Sequence, residues 1–407
     1  MFVLGTRMKF FRCHLVFHFF LACLSCFSFL LLVGCGQVTT SSMVKATPTP
    51  TPAVTNPNNF VYVTVNANST IEGFKIDPSG QVSPIPGSPF PAPEGPFGIA
   101  RSQDFLFVGS FGVNVLSADK DLITAFRIDP STGALSQVAS LHNLFSLDLA
   151  VDRAGQFLYA VNTAGVGVFS LGSDGRPSEI PGSPFGSPSS LVFVQGSLIF
   201  HPSGKFLYSW GTPDGHGDPG PFAIFASLDP RSGVPSNGQM LGPATSGLDI
   251  TPDGKFMVAG NAELGMQNQV CTYTIDPTTG APSSAELGGQ AVTPFNCFNA
   301  AGFLNQVAIH PTGSLVAITG ADGITMLHLS NGSLSQVAGS PFSVPFAASR
   351  TAFSRDGKYL FVTNPGPENP GPMNAVAVFQ VNAGTGALTP APGSPFLLSG
   401  PPVRLVQ

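Results

Sequence analysis

The sequence predicts an all-β fold: a seven-bladed β-propeller of four-stranded antiparallel blades, closed by a C-terminal strand that completes the first blade. Three observations predict it. Turns of the type IDPSTGAL recur from residue 76 onward, turns of the type HPSGKFLY precede apolar runs, and PGSPF or AGSPF occurs four times. A unit that recurs along a whole chain indicates a repeat architecture. Units with four short apolar segments each are typical of propeller blades.

The composition agrees with many short strands joined by tight turns. Of 407 residues, 47 are glycine and 39 are proline, but 43% are hydrophobic and 35 are phenylalanine. Such a content of bulky apolar residues argues against disorder.

The first turn type fixes the end of the third strand in each unit. Asp, Asn, Pro and Gly bond locally or tolerate positive φ, so we interpret the aspartates as turn formers rather than metal ligands. His201 and His310 open the second turn type in two units, and their repeated position favours a turn role over ligation. The seven copies of the first turn type begin at Ile76, Ile128, Leu171, Leu228, Ile275, Leu329 and Val381.

The PGSPF pentapeptide is expected in the outermost strand, where the chain leaves one blade for the next. An edge strand need not donate every N–H and therefore tolerates proline. We expect its phenylalanine to pack between neighbouring blades.

The two ends of the repeat region predict ring closure. The first unit begins at Phe60 with a second strand and lacks an innermost one. Residues 401–407, PPVRLVQ, form one strand with no unit after it. This strand can complete the first blade, so residues 59–407 are predicted to be one propeller domain.

The N-terminal region predicts export. Residues 1–34 contain Arg7, Lys9 and Arg12, no acid, and then a long apolar run before Cys35. This pattern resembles a bacterial lipoprotein signal, which implies lipidation of Cys35 and a position in the cell envelope, facing the periplasm or the exterior. The alternative is a single transmembrane anchor. Residues 35–58, rich in Thr, Pro and Ser, are predicted to be a tether.

The net charge argues against nucleic acid as a partner, and the cysteine content raises the question of a disulfide. The formal net charge is −5, and removal of residues 1–34 leaves 14 basic and 22 acidic residues, so nucleic acid is an improbable partner. The remaining cysteines besides Cys35 are Cys271 and Cys297, which could form a disulfide in an oxidising compartment or stay as two buried thiols.

Short strand motifs carry a family resemblance. VYVTVN at Val61, LYAVN at Leu158 and LFVTN at Leu360, together with the IDPxTGxL turn, resemble the YVTN repeat of the lactonase family of seven-bladed propellers. That family includes bacterial 6-phosphogluconolactonases, and the resemblance implies lactone hydrolysis in the central channel. The family's channel histidine falls at about Gly196, and its Arg-His pair falls on Ser246 and Gly247.

A polar ring is predicted where the innermost strands enter the channel. If the strands align, equivalent positions bring together Asp148, Ser197, Gln306, Arg350 and, from the closing strand, Arg404. Asp148 and Arg350 could pair with each other or bind a polar ligand, or the ring residues could simply be solvated strand ends. The connections predicted to be long and to share one face of the ring are residues 109–122, 186–196, 211–222, 261–268, 288–305 and 364–374.

Three functions remain open from the sequence. The first is a lipid-anchored, monomeric envelope protein that binds a small molecule or an envelope protein on the long-loop face. The second is a lactone hydrolase with a rearranged site, and the third is a structural surface protein. No metal or cofactor is expected, since Asp214, His216 and Asp218 match no strong ligand spacing.

Overall fold

Seven antiparallel sheets follow one another along the chain, one for each repeat unit. The structure is a computed structural model, and it describes residues 59–111, 122–142, 146–162, 165–186, 197–210, 224–240, 245–261, 268–282, 294–300, 302, 304–364 and 373–407. Among these residues no helix is long and apolar enough to cross a membrane. The sheets are the blades of the predicted seven-bladed propeller.

Each blade has four strands in order from the channel outward. Blade 1 contains β31 (Pro402–Val406), β1 (Asn59–Val65), β2 (Thr70–Ile76) and β3 (Val82–Pro84), with β4 (Phe90–Pro91) also on β2. Blade 2 contains β5 (Pro96–Arg101), β6 (Phe105–Ser110), β7 (Leu122–Ile128) and β8 (Leu135–His142). Blade 3 contains β9 (Asp148–Val151), β10 (Phe157–Asn162), β11 (Gly165–Leu171) and β12 (Pro177–Glu179), with β13 (Phe185–Gly186) on β11. A short 3-10 helix, Asn66–Asn68, joins β1 to β2.

The other four blades repeat this arrangement. Blade 4 contains β14 (Ser197–Phe200), β15 (Phe206–Trp210), β16 (Ile224–Leu228) and β17 (Pro235–Met240). Blade 5 contains β18 (Thr245–Ile250), β19 (Phe256–Asn261), β20 (Gln269–Thr274) and β21 (Asn296–Asn299). Blade 6 contains β22 (Leu304–Ile309), β23 (Leu315–Gly320), β24 (Gly323–Ser330) and β25 (Ser333–Gln336). Blade 7 contains β26 (Thr351–Phe353), β27 (Tyr359–Thr363), β28 (Ala375–Val381) and β29 (Leu388–Pro390), with β30 (Phe396–Leu397) on β28.

The C-terminal strand closes the ring as predicted. β31 pairs antiparallel with β1, with Val63 opposite Leu405, and becomes the innermost strand of blade 1. The Glu72 carboxylate of β2 accepts hydrogen bonds from the Ser399 amide and hydroxyl groups, each at 2.7 Å. Both ends of the domain are therefore tied into one sheet.

The hydrophobic core lies between blades rather than within one sheet. The second strands β6 and β23 are buried at every residue, because a neighbouring blade covers each face of the sheet. Tyr62 of blade 1, for example, packs with Ile99 and Leu106 of blade 2.

Tyrosine hydroxyl groups link successive blades. Tyr62, Tyr159 and Tyr208 each donate a hydrogen bond to a turn glycine carbonyl of the next blade, at distances of 2.6–2.8 Å. Those glycines have positive φ, which only glycine adopts at low cost. The tyrosines of the VYVTVN-type motifs therefore hold the scaffold together.

The turn aspartates and histidines have the predicted structural roles. Asp129 accepts from two amides of its own turn, and the Ser131 hydroxyl group, with these amides, lowers its pKa to about 2. His201 and His310 are buried, and the Nε2 atom of each lies 2.9 Å from a turn glycine carbonyl of the next blade. The histidine rings thus connect neighbouring blades.

The PGSPF motif interrupts the outermost strand. All four copies have a cis Ser-Pro bond. In each copy the serine hydroxyl accepts from an amide of the third strand at 2.8–3.0 Å, in place of a backbone carbonyl. The phenylalanine then pairs again with the start of that strand, and Phe90 lies in the core between blades 1 and 2. The motif is therefore a structural device of the blade edge, as predicted.

One predicted long connection is wrong in part. Residues 288–305 were expected to form a single loop, but Asn296–Asn299 is the outermost strand of blade 5 and pairs with β20. The insertion lies before this strand, between the third and fourth strands, because Ile275 and Pro282 already pair across the preceding turn. The central parts of the other predicted long connections lie outside the described residues.

The serine of the PGSPF-type motif can be tested in blade 6. Ser340→Ala removes the acceptor for the amide of Met326, a fully buried residue. We expect the free energy of unfolding to fall by about 1–2 kcal/mol, since a buried donor is left unpaired. Urea denaturation measures this change.

Ser335→Ala is the control, because Ser335 is exposed on the neighbouring strand β25. A surface change of this kind should alter stability by less than about 0.5 kcal/mol. Equal effects of the two substitutions would contradict the structural role of the motif.

Candidate functional site

The innermost strands of all seven blades enclose a central cavity of about 450 Å³. Its lining includes all five polar residues of the ring predicted from the sequence, so the structure brings these residues together. Strand pairing shows that they occupy equivalent positions at the starts of the innermost strands. We call this level the ring; its seven positions are Gly98, Asp148, Ser197, Gly247, Gln306, Arg350 and Arg404.

Two glycines of the ring allow neighbouring strands to approach closely. A Cβ atom on Gly247 would lie 3.0 Å from Cα of Gln306, and one on Gly98 would lie 3.1 Å from Cα of Asp148. A side chain at either position would push the innermost strands apart. The position matched to the histidine of the family's Arg-His pair, here Gly247, therefore serves strand packing.

Arg404 is held by residues of two other blades. Its Nη1 atom donates to the Ser197 hydroxyl at 2.8 Å and lies 3.9 Å from Oδ2 of Asp148. The Arg404 guanidinium also lies over the Phe97 ring, 5.9 Å from its centroid. Asp148 in turn accepts from the Leu198 amide at 3.1 Å. The charges of Arg404 and Asp148 thus compensate each other within the protein.

Gln306 has a structural contact at the ring. Its Oε1 atom accepts from the Thr351 amide of blade 7 at 3.0 Å. This bond joins the innermost strands of blades 6 and 7 in the same way that Asp148 joins those of blades 3 and 4.

Arg350 differs from the other ring residues. Within the described part of the chain, no group forms a hydrogen bond with its guanidinium. The like charge of Arg404 and burial lower the pKa of Arg350 to about 9, and Asp148 only partly opposes this shift. Arg350 is still a cation at neutral pH, but the positive charge of Arg404 beside it destabilises that state. An anion bound there would relieve the repulsion.

The sequence allowed a pair between Asp148 and Arg350, but the ion pair of Asp148 in the structure is with Arg404. Both arginines enter the channel at the ring, but only Arg404 reaches the Ser197 hydroxyl. Ligand binding by the five ring residues stays a prediction.

Asp249 is a channel residue that sequence reasoning missed. It lies two residues after Gly247 and lines the cavity. Its carboxylate accepts from the Ile250 amide at 2.8 Å and from the Ile309 amide at 2.7 Å. Desolvation raises its pKa to about 6. The six equivalent positions are apolar: Ala100, Ala150, Ile199, Ala308, Ala352 and Val406.

Comparison of the repeats could have revealed Asp249. Among seven aligned strands, one carboxylate stands where the others have small or aliphatic side chains. Sequence reasoning compared only the ring level and therefore did not reach it.

The predicted cysteine pair lies on the two outer strands of blade 5. A disulfide joins Cys271 and Cys297, which are directly opposite each other on β20 and β21. The described residues contain no group of three or more His, Cys, Asp or Glu residues suited to hold a metal ion. Five residues that the sequence analysis singled out lie outside the described ranges: Cys35, Gly196, Asp214, His216 and Asp218.

Solved structures of similar fold include two proteins connected with lactonase activity. A proposed 6-phosphogluconolactonase from Bacteroides uniformis has 18% identity and a TM-score of 0.61, with 86% of this chain and 99% of that chain covered. The periplasmic gluconolactonase of Pseudomonas aeruginosa has 18% identity and a TM-score of 0.60, with 86% and 98% covered. The chain has the propeller fold of these proteins.

A protein from Lactobacillus plantarum is similar to the same degree. It has 15% identity and a TM-score of 0.62, with 86% of this chain and 100% of that chain covered. The sequence matches no family model, and no curated protein matches it. At such identities the likeness establishes the fold, and function has to be argued from the site.

Proposed function

We propose that this protein binds a small anionic ligand at the ring of its central channel, with Arg350 as the principal binding residue. The observation that supports this best is the Arg350 guanidinium, which lines the cavity without a hydrogen-bonding partner among the described residues. The whole chain is acidic, yet the described lining has three arginines and two aspartates. A guanidinium can bind a carboxylate or phosphate group through two parallel hydrogen bonds.

The surroundings of Arg350 favour binding over a purely structural role. Arg404 is held in place by Ser197 and Asp148, and its repulsion of the Arg350 guanidinium exceeds the attraction from Asp148, so the potential at Arg350 stays positive. A cavity of about 450 Å³ is within the range of small-molecule sites. A structural surface protein would have no need for an unpaired cation in such a cavity.

The proposed location of the protein is the cell envelope. We propose that residues 1–34 are removed, that lipidated Cys35 anchors the protein, and that residues 35–58 are the tether. The Cys271–Cys297 disulfide supports this proposal, because such bonds persist in oxidising compartments. One structural neighbour is a periplasmic protein. Mass spectrometry of the N-terminal peptide should find an acylated Cys35, and an unmodified peptide beginning at Met1 would contradict the anchor.

Removal of Arg350 tests the binding site. Calorimetric titration of the full-length protein with butyrate should detect binding. Arg350→Gln should weaken this binding at least about tenfold, since a charge-assisted hydrogen bond is lost. Arg231→Gln, an exposed arginine in a turn of blade 4, is the matched control and should bind as the wild type does. Equal affinity of all three proteins, or no binding by the wild type, would contradict the proposal.

A lactone hydrolase is the second candidate function, and Asp249 is the observation that favours it. A carboxylate with a pKa of about 6 in a channel has the properties of a general base that activates water. The activity named for two structural neighbours points in the same direction. Against it, no histidine belongs to the cavity lining within the described residues.

Lactone hydrolysis separates the two candidates. Proton release from sugar lactones, phosphorylated and not, and from aliphatic lactones should not exceed the rate in water if the protein only binds. Turnover that Asp249→Asn abolishes and Asp104→Asn leaves unchanged would establish the hydrolase instead. Asp104 is exposed in the turn between β5 and β6 and serves as the charge control.

A further inference from the structure

Among the described residues, only some of the charged side chains that line the channel form ion pairs. Arg404 and Asp148 lie 3.9 Å apart and neutralise each other. Arg355 also lines the cavity, but it lies at the opposite end of the innermost strand of blade 7; the residue is exposed there, although partial desolvation of its guanidinium lowers its pKa. Two inward groups remain without an ionic partner in the described part of the chain: the cation of Arg350 at the ring and the anion of Asp249 deeper in the channel.

Burial of the Asp249 carboxylate in this position is energetically unfavourable. Its six equivalents are apolar, so the carboxylate lies in a layer that offers no other polar side chain. Burial of a carboxylate without an opposite charge is unfavourable. Each of its two oxygens accepts one backbone amide, which leaves lone pairs on both for a further donor. Desolvation is the largest cause of the raised pKa of Asp249, and the two amide hydrogen bonds only partly oppose it.

The two unpaired charges differ in depth along the channel. Asp249 is two residues beyond the ring level of Arg350, and two residues of a strand span roughly 6.6 Å. Blade 6 lies between the blades that carry them, and its innermost strand presents Gln306 at the ring and Ala308 at the deeper level. The channel therefore offers one positive and one negative group to the two ends of a short molecule.

We propose that the ligand of this channel is a compact zwitterion, whose carboxylate binds Arg350 and whose ammonium group binds Asp249. This inference rests on the proposed function, to which it adds the second charge of the ligand. An ammonium group gains more at Asp249 than a hydroxyl group does, because it both donates a hydrogen bond and neutralises the buried anion. A ligand with a single negative charge would leave Asp249 uncompensated.

Matched four-carbon probes test the inference on the full-length protein. Calorimetric titrations compare 4-aminobutyrate, which has both charges, with butyrate, 4-hydroxybutyrate and butylamine. We expect 4-aminobutyrate to bind at least about tenfold more tightly than each of the others, a difference of about 1.4 kcal/mol. This comparison uses the wild type alone and does not depend on whether any variant folds.

Variants then assign each charge to its residue. In Asp249→Asn, 4-aminobutyrate should bind no more tightly than butyrate does to the same variant, whereas Asp104→Asn should keep the wild-type preference. In Arg350→Gln, both probes should bind more weakly than to the wild type. This pattern would support the proposed roles of both residues.

The possible failures are distinguishable. If butyrate binds through Arg350 but 4-aminobutyrate binds no better, the anion site stands and the zwitterion inference is wrong. If 4-hydroxybutyrate equals 4-aminobutyrate, Asp249 recognises a hydrogen-bond donor rather than a cation, and the inference is again wrong. If no probe binds, the proposed function and the inference fail together.

Discussion

The pairing of the C-terminal strand with the first strand is the interaction on which the rest of the structure depends. β31 and β1 come from opposite ends of the domain, and their hydrogen bonds close the ring of blades. The same strand carries Arg404 into the channel, where it meets Ser197 and Asp148 of blades 4 and 3. The strand that closes the fold therefore also supplies Arg404 to the candidate site. Seven innermost strands must converge on one axis, which explains the need for Gly98 and Gly247 at the ring.

Many polar side chains in this propeller serve as bridges between blades. Tyrosine hydroxyls and histidine rings connect blades through turn carbonyls, and Asp148 and Gln306 connect innermost strands through backbone amides. Buried polar groups are favourable only when they are hydrogen-bonded, so these repeated contacts are part of the stability of the scaffold. Arg350 stands out because its guanidinium has no such contact within the described residues. Asp249 stands out because it has amide contacts but no counter-charge. Arg350 and Asp249 are therefore the best candidates for ligand binding.

The sequence was sufficient for the fold because the signals repeat. Seven turns with Gly and either Asp or Asn, an incomplete first unit and a single C-terminal strand predicted the blades and their closure, and the structure agrees on each. The strand within residues 288–305 was missed, because an insertion separates it from the turn that normally precedes it. Insertions remove the constant spacing on which repeat analysis depends.

Of the candidate site, only the ring residues were predicted from the sequence. Alignment of strand starts found the ring, since these positions follow directly from the turns. The partner of Asp148 could not be predicted, because Arg350 and Arg404 are equivalent by sequence and only the distances distinguish them. Asp249 could have been found, but its pKa depends on the packing of β18 against β22, which no sequence pattern reveals.

The central claim is that the Arg350 guanidinium binds an anionic group at the ring. A crystal structure of the protein grown with selenate, which scatters anomalously, tests this claim most directly. The account predicts an anomalous peak in the channel within hydrogen-bonding distance of the Arg350 guanidinium, and no such peak in Arg350→Gln. Peaks confined to exposed lysines and arginines, with the ring empty, would contradict it.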